Sequence, residues 1–277
     1  KILNQLKNEF EGTIILIFQP GEEKLPGGAK LMMDEGCFDT YTPDIVVGQH
    51  VMPSYEAGQV GFKEGIYMAS ADEIFITVKG QGGHAALPDE TADTVYIASK
   101  IIARLKEKML HEKPEDVPTI LSFGNVIGKG ATNIIPSKVE IAGTFRTFNE
   151  TWRDKAHAFI KSEAESIAKA NKGECQVNII RGYPFMNNDP EVTRIARAAS
   201  AEYLGTDQLI NMDIRMTADD FAYYSQKYPS TYYRLGIKKP GATHPTNLHS
   251  PQFEADEAAI QTGMGVMSWI ALQLLNN

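Results

Sequence analysis

Glu22 and Glu23 stand side by side in Gln19-Pro20-Gly21-Glu22-Glu23, straight after the apolar run Thr13-Ile14-Ile15-Leu16-Ile17-Phe18. Two adjacent carboxylates resist joint ionisation unless a cation lies beside them or one keeps a proton. One can therefore hold a metal while its neighbour moves protons. An isolated Glu-Glu pair is more often a polar loop, so the histidines decide the reading. Of six histidines, His111 follows a lysine-rich stretch and His157 sits among charged neighbours in a predicted helix, so both read as solvated surface. The other four follow structural breaks. His50 ends the apolar segment Ile45-Val46-Val47, His84 follows Gly80-Gln81-Gly82-Gly83, and His244 and His249 flank Pro245-Thr246-Asn247-Leu248. A lone strand-end histidine is more often structural than a ligand. Two glutamates and a histidine at neighbouring strand tips, with a distant histidine loop, point instead to a metal site. His244 has the weakest case and is left out of it.

The elements that must position these groups follow from periodicity. Thr13–Phe18 has the length and β-branched content of a buried strand, stopped by Pro20-Gly21, and a helix is expected near Gly27–Asp34. A second buried strand over Ile45–Val47 ends in Gly48-Gln49-His50. This alternation predicts a parallel α/β sheet, whose C-terminal strand ends share one ligand-binding edge. From Asp72 the pattern changes. A strand over Ile74–Val78 is followed by a helix over Ala92–Lys108 with Val95, Ala98, Ile101, Ile102 and Leu105 on one stripe. Strands over Thr119–Val126 and Val139–Phe145 come next, then a helix over Thr151–Ala170, capped by Thr151 or Asn149, and a strand over Gln176–Ile180. Strand, helix, strand, strand, helix, strand is the βαββαβ order of a ferredoxin-like sandwich. The fold class is therefore α/β, with residues 69–181 inserted as a small domain into a larger one formed by 1–68 and 182–277. Helices at Glu191–Leu204, from near Thr217 and from Glu257, with a strand at Thr231–Leu235, complete the larger domain.

With 277 residues, 43% of them hydrophobic, the chain can bury cores for two domains. A net charge of −8 argues against nucleic-acid or anionic-membrane partners. The longest apolar segments read as strand-sized, short of the roughly 20 residues that span a bilayer. Cys37 and Cys175 lie far apart with no C-x-x-C partner, which suggests neither a disulfide framework nor a zinc knuckle and makes a reducing cytoplasm the expected compartment. Gly80–Gly83 lacks a phosphate-loop pattern, so no nucleotide site is expected. Thr217, Asp219 and Asp220 read as a helix N-terminus whose acids complement the dipole, a structural role.

The motifs taken together resemble those of the metal-dependent amidohydrolases that include hippurate hydrolases, aminoacylases and auxin-conjugate hydrolases, within the wider zinc-exopeptidase group. The matching segments are Gln19–Glu23, Gly48-Gln49-His50-Val51, Lys79–Pro88 around His84, Ala131–Pro136 around Asn133, Gly143-Thr144-Phe145-Arg146, Asp219–Tyr224 and Leu248-His249-Ser250-Pro251. In order and spacing they cover essentially the whole chain. The resemblance implies a zinc-exopeptidase-like catalytic α/β domain with an inserted ferredoxin-like lid through which two copies dimerise. It implies Glu22 as general base, Glu23 and His249 as ligands of one divalent ion and His50 as a ligand of another. His84 would steady the tetrahedral oxyanion from the lid, reaching the partner subunit's site, and Asn133 and Arg146 would hold the substrate, since arginine suits a carboxylate. Two divalent ions are implied, zinc, manganese, cobalt or nickel, with an N-acyl amino acid or similar small amide as substrate. The family has Ser-Glu-Asp where this chain has Ala218-Asp219-Asp220. It also has a cysteine- and histidine-bearing motif ahead of the glutamate pair, and the 21 residues before Glu22 hold neither type. The expectation is thus a catalytic domain incomplete at its N-terminus, inactive or nearly so by itself and a weak metal binder. The other class of reading is a non-catalytic dimeric binding or scaffold protein that kept the fold and lost the chemistry.

Overall fold

The computed structural model describes residues 1–243 and 247–277. His244, set aside above, lies outside the described residues. The chain begins with helices α1 (Ile2–Gln5) and α2 (Gly28–Asp34), then strands β1 (Val46–Glu56), β2 (Val60–Phe62) and β3 (Gly65–Met68). Next come β4 (Asp72–Lys79), β5 (Gly83–His84), α3 (Thr94–Glu112), β6 (Thr119–Gly128), β7 (Ile134–Ile135), β8 (Lys138–Thr147), α4 (Glu150–Ala170) and β9 (Glu174–Arg181). The remainder holds β10 (Met186–Asn188), α5 (Pro190–Leu204), β11 (Leu209–Asn211), α6 (Ala222–Ser225), β12 (Ser230–Lys238) and α7 (Ala258–Asn276). These elements form two compact units: Lys1–Met68 with Met186–Arg215 and Asp219–Asn277, and Ala69–Phe185 with Met216–Ala218.

The first unit is built on a four-stranded sheet in the order β1-β12-β2-β11. β12 runs parallel to β1 and antiparallel to β2, so the sheet is mixed and not the parallel sheet expected from the sequence. Alternation along β12 serves two cores. Tyr233, Leu235 and Ile237 pack with Val266 and Ile270 of α7. Tyr232 faces the other way, into a cluster with Phe221, Tyr67 and Met212. Three further expectations fail in this unit. The run Thr13–Phe18 lies in no helix and no sheet, and Leu16 and Phe18 are 67% and 86% exposed. Its β-branched content suits a strand, but a strand exists through its ladder, and no described strand lies beside this one. β1 does not stop at His50 but continues to Glu56, because β12 offers a parallel partner as far as Met52 and beyond a register shift at Glu56. Finally, α7 carries no charged residue over 19 residues and is long and apolar enough, by length and composition, to cross a membrane, so not every long apolar segment is strand-sized. Its Val266 and Ile270 are buried against the sheet and α5 side.

The second unit has a four-stranded antiparallel sheet in the order β6-β8-β4-β9, with α3 and α4 packed on it. Its single core joins Ile74, Ile76 and Val78 of β4 to Ile97, Ile101 and Leu105 of α3 and to Ala156, Ile160 and Ala164 of α4. Val95, expected on the buried stripe of α3, is half exposed, and Ile97 takes the inward position. Asn149 caps α4, its side chain accepting from the Trp152 amide at 2.8 Å. His157 is not surface. Its Nε2 lies 2.7 Å from Asp72 Oδ2, and Asp72 also takes the Arg153 guanidinium and the Gly182 amide. Fully buried carboxylate and guanidinium satisfy each other here, which spaced charges on a helix do not reveal in advance.

Candidate functional site

Gln19, Glu22 and Glu23 reach the site because the chain after Phe18 crosses the start of α2. A Cβ on Gly28 would sit 1.6 Å from the Pro20 carbonyl oxygen, so only glycine permits this crossing. Gln19 then donates to both oxygens of Asp220, at 2.8 and 2.9 Å, and accepts from the Tyr224 hydroxyl at 3.0 Å. Asp220 in turn accepts the Ala29 amide at 2.9 Å, so a carboxylate from a distant turn satisfies the first amides of α2. The expected helix from near Thr217 begins only at Ala222. Asp219 and Asp220 precede it in a turn, because their side chains are spent on Phe221, Tyr232, Gln19 and α2.

Asp219 is fixed from two sides. It accepts the Phe221 amide at 2.9 Å and the Tyr232 hydroxyl at 2.5 Å. Tyr232 is held through its backbone by the side chain of buried Asn188 and stacks on Phe221, with ring centroids 4.6 Å apart. Both rings lie over Gly48, where a Cβ would come within 2.6 Å of each. Burial, and then Asp219, push the Tyr232 phenol well above its ordinary range, so it stays a donor to Asp219.

Glu22 meets these acids. Oxygens of Glu22, Asp219 and Asp220 lie within 4.8 Å of one another. Burial, then the charges of Asp219, Asp220 and Glu23, raise the Glu22 carboxyl from 4.5 to about 7, against a hydrogen bond from the Asp220 amide that lowers it. Burial likewise raises Asp220. Three crowded carboxylates are a donor set suited to a hard divalent cation. Glu23 faces a different partner: its Oε1 is 3.7 Å from His249 Nδ1, with both side chains about three-quarters exposed. His50 Nδ1 lies 2.7 Å from the Val51 carbonyl oxygen, which can only accept, so the neutral ring keeps Nε2 unprotonated and able to bind a metal. Burial, then Arg234, lower the His50 pKa and favour that neutral ring.

Of the sequence-derived ligands, Glu23 and His249 lie together, while His50 lies edge-on to Tyr232 at 6.2 Å. Among the described residues, the three-ligand group that closes is Glu22 with Asp219 and Asp220. Asp219 and Asp220 were read as structural from the sequence. The signal that could have flagged them is the one that flagged Glu22 and Glu23, a pair of adjacent acids beside an apolar segment. Gln19 and Tyr232 gave no such signal.

In the second unit, β5 pairs with β7, bringing His84 opposite Ile134, and the Ala85 amide donates to the Asn133 carbonyl at 2.9 Å. His84 Nδ1 accepts the Ala86 amide at 3.1 Å, so its neutral ring carries the proton on Nε2, free to donate. Arg146 on β8 is part-buried and donates from Nη1 to the Met216 carbonyl at 2.7 Å.

Comparison with known proteins gives the family of the chain. A family model described as Peptidase family M20/M25/M40 matches residues 1–273. An uncharacterized hydrolase, y4tI, of Sinorhizobium fredii is 33% identical over 94% of this chain and 64% of its own length. The N-acetyldiaminopimelate deacetylase of Geobacillus sp. strain WCH70 is 29% identical over 94% of this chain and 68% of its own. Among solved structures, the Bacillus subtilis YXEP protein, titled a dinuclear metal binding peptidase from M20 family, superposes with a TM-score of 0.78 at 26% identity, covering 99% of this chain and 68% of that one. The chain therefore spans about two-thirds of the length of these relatives.

Proposed function

Because the chain belongs to peptidase family M20/M25/M40, we propose that it serves a metal-dependent hydrolase that cleaves the amide bond of N-acyl amino acids or similar small amides. The observation that carries this reading is the position of the glutamate pair between an acidic cluster and a histidine. Glu22 closes with Asp219 and Asp220 within 4.8 Å, and its neighbour Glu23 lies 3.7 Å from His249. The donor chemistry fits divalent cations: carboxylate oxygens on one side, a carboxylate and an imidazole on the other, and a neutral His50 with Nε2 available. Glu23, His249 and His50 are the proposed ligands. When bound there, a divalent cation supplies Lewis acidity toward the amide carbonyl and lowers the pKa of water.

The rest is done by the chain. Glu22, poised near neutrality, accepts a proton from the attacking water and returns it to the leaving amine. Burial, and then the charges of Asp219 and Asp220, raise its proton affinity. His84, with Nε2–H free, is assigned the oxyanion donor, and Asn133 and Arg146 the grip on substrate. The second unit is read as a ferredoxin-like lid that pairs with its copy in a homodimer; its sheet order β6-β8-β4-β9 and its uncovered β6 edge, with Val126 52% exposed, support this. The name of the Geobacillus relative, a deacetylase of an N-acetyl amino acid, favours the same substrate class.

The test is release of free amino acid from N-acetyl and N-benzoyl amino acids by metal-loaded protein. In a protein of the relatives' full length that carries these 277 residues, turnover that requires the metal and is abolished by Glu22→Gln, with metal binding retained, is the expected result. Turnover that survives Glu22→Gln, or that proceeds without metal, overturns the reading.

A further inference from the structure

On the sheet face that carries His50, two arginines of the first unit have no acidic partner. Arg234 is directly opposite His50 in the β1–β12 register and only 4% exposed. Its Nε donates to the Tyr67 hydroxyl at 2.8 Å and its Nη2 contacts the Met68 sulfur at 3.1 Å, while its guanidinium lies over the Tyr67 and Tyr232 rings at 5.7 and 5.2 Å. All of these partners are neutral. Arg215 bridges to Met68 through its backbone, and its Nη1 reaches only the Met52 sulfur, at 3.7 Å. Met52 follows His50 by two residues on β1 and so shares its face. Arg215 Nε is buried and, among the described residues, has no hydrogen-bond partner. Neither arginine forms an ion pair among the described residues, whereas Arg153, the buried arginine of the second unit, has two carboxylates.

Two guanidiniums with no ion-pair partner among the described residues repel each other, and a buried N–H of a charged group left unpaired is unfavourable. A planar anion relieves both conditions. The Nε and Nη2 hydrogens of an arginine form a parallel pair that matches the two oxygens of a carboxylate, and on Arg215 neither nitrogen has a hydrogen bond to a described residue. Arg215 is part-exposed and reachable from solvent, whereas Arg234 is a fixed charge behind it. We propose that Arg215 and Arg234 form a carboxylate-binding subsite beside His50 in the first unit, with Arg215 as the bidentate donor. The identification of the ligand as the carboxylate of an acyl amino acid rests on the hydrolase reading above; the subsite itself does not.

The experiment uses metal-free 277-residue protein and follows its thermal unfolding with sodium benzoate, neutral benzamide or sodium phosphate at matched ionic strength. Benzoate is expected to raise Tm saturably and benzamide is not. Arg215→Met should weaken the apparent benzoate affinity about tenfold or more, and Arg215→Lys should recover only part of it, since one ammonium cannot grip both oxygens. Should Arg215→Met fail to fold, Arg215→Lys alone decides, with a severalfold loss expected and an unchanged affinity contradictory. The proposal is overturned by an absent benzoate shift in the parent, by an equal shift with benzamide, by a shift with phosphate and none with benzoate, or by undiminished affinity in Arg215→Met. A response lost in Arg146→Met and kept in Arg215→Met would also overturn it. Because no metal or turnover is involved, failure of the hydrolase reading leaves these outcomes unaffected.

Discussion

At the scale of single residues, Glu22 carries the most chemistry. Its folded pKa, about 7, lies above its ordinary 4.5, so the native state binds the proton more tightly than the unfolded chain. The sign follows: stability associated with Glu22 is full below its unfolded pKa and falls as pH rises through the folded value. Glu22→Gln should match the parent below about pH 4.5 and exceed it by ~1 kcal/mol above about pH 8, a figure discounted because the side chain is only part-buried. Chemical denaturation at the two pH values checks this, and equal stabilities throughout would contradict the raised pKa. The glutamate pair and the likelihood of one member holding a proton were legible in the sequence, because adjacent like charges act whatever the fold. Two of the charges that reinforce the effect of burial were not. Asp219 and Asp220 come from 197 and 198 residues away, counted from Glu22, and only the fold brings them there.

At the scale of elements, the second unit turns on the seam between β4 and α4. Burial alone would raise Asp72, but hydrogen bonds from Arg153 and His157 and the nearby Arg153 charge outweigh it and hold its pKa down at about 2. The stability this provides is present above the ordinary value of 3.8 and is lost as pH falls toward about 2. Asp72→Ala leaves buried Arg153 with only the part-exposed Glu150 as a counter-charge, with an expected cost of about 3–5 kcal/mol measured by denaturant unfolding. A cost below about 1 kcal/mol would show the seam to be incidental. Asn149→Ala removes the cap of α4 and should cost about 1 kcal/mol by the same measurement. Helices and strands of this unit were readable within a few residues, since periodic apolar positions and a capping Asn are local signals. What failed elsewhere depended on partners. Thr13–Phe18 has strand composition without a described neighbour, and β1 outruns His50 because β12 extends its ladder.

At the scale of the whole molecule, the chain carries separate cores for its two units and the motif order of peptidase family M20/M25/M40 from end to end. That order was visible in the sequence because motifs keep their spacing while the residues between them change. The mixed sheet was not visible, since composition does not distinguish parallel from antiparallel partners. The proposed lid-mediated dimer gives a direct expectation: light scattering at micromolar concentration should return twice the 30.6 kDa protomer mass. A strict monomer would contradict it.

The central claim, that Glu23, His50 and His249 hold divalent metal beside the base Glu22, is tested most directly by calorimetric titration of the chain with Zn²⁺ or Mn²⁺ at several pH values. Saturable binding is predicted, weakened about tenfold or more by Glu23→Gln and by His249→Ala. Proton release on binding should grow as pH falls below about 7, where Glu22 is protonated. Absent binding, or binding indifferent to both substitutions, would contradict the account.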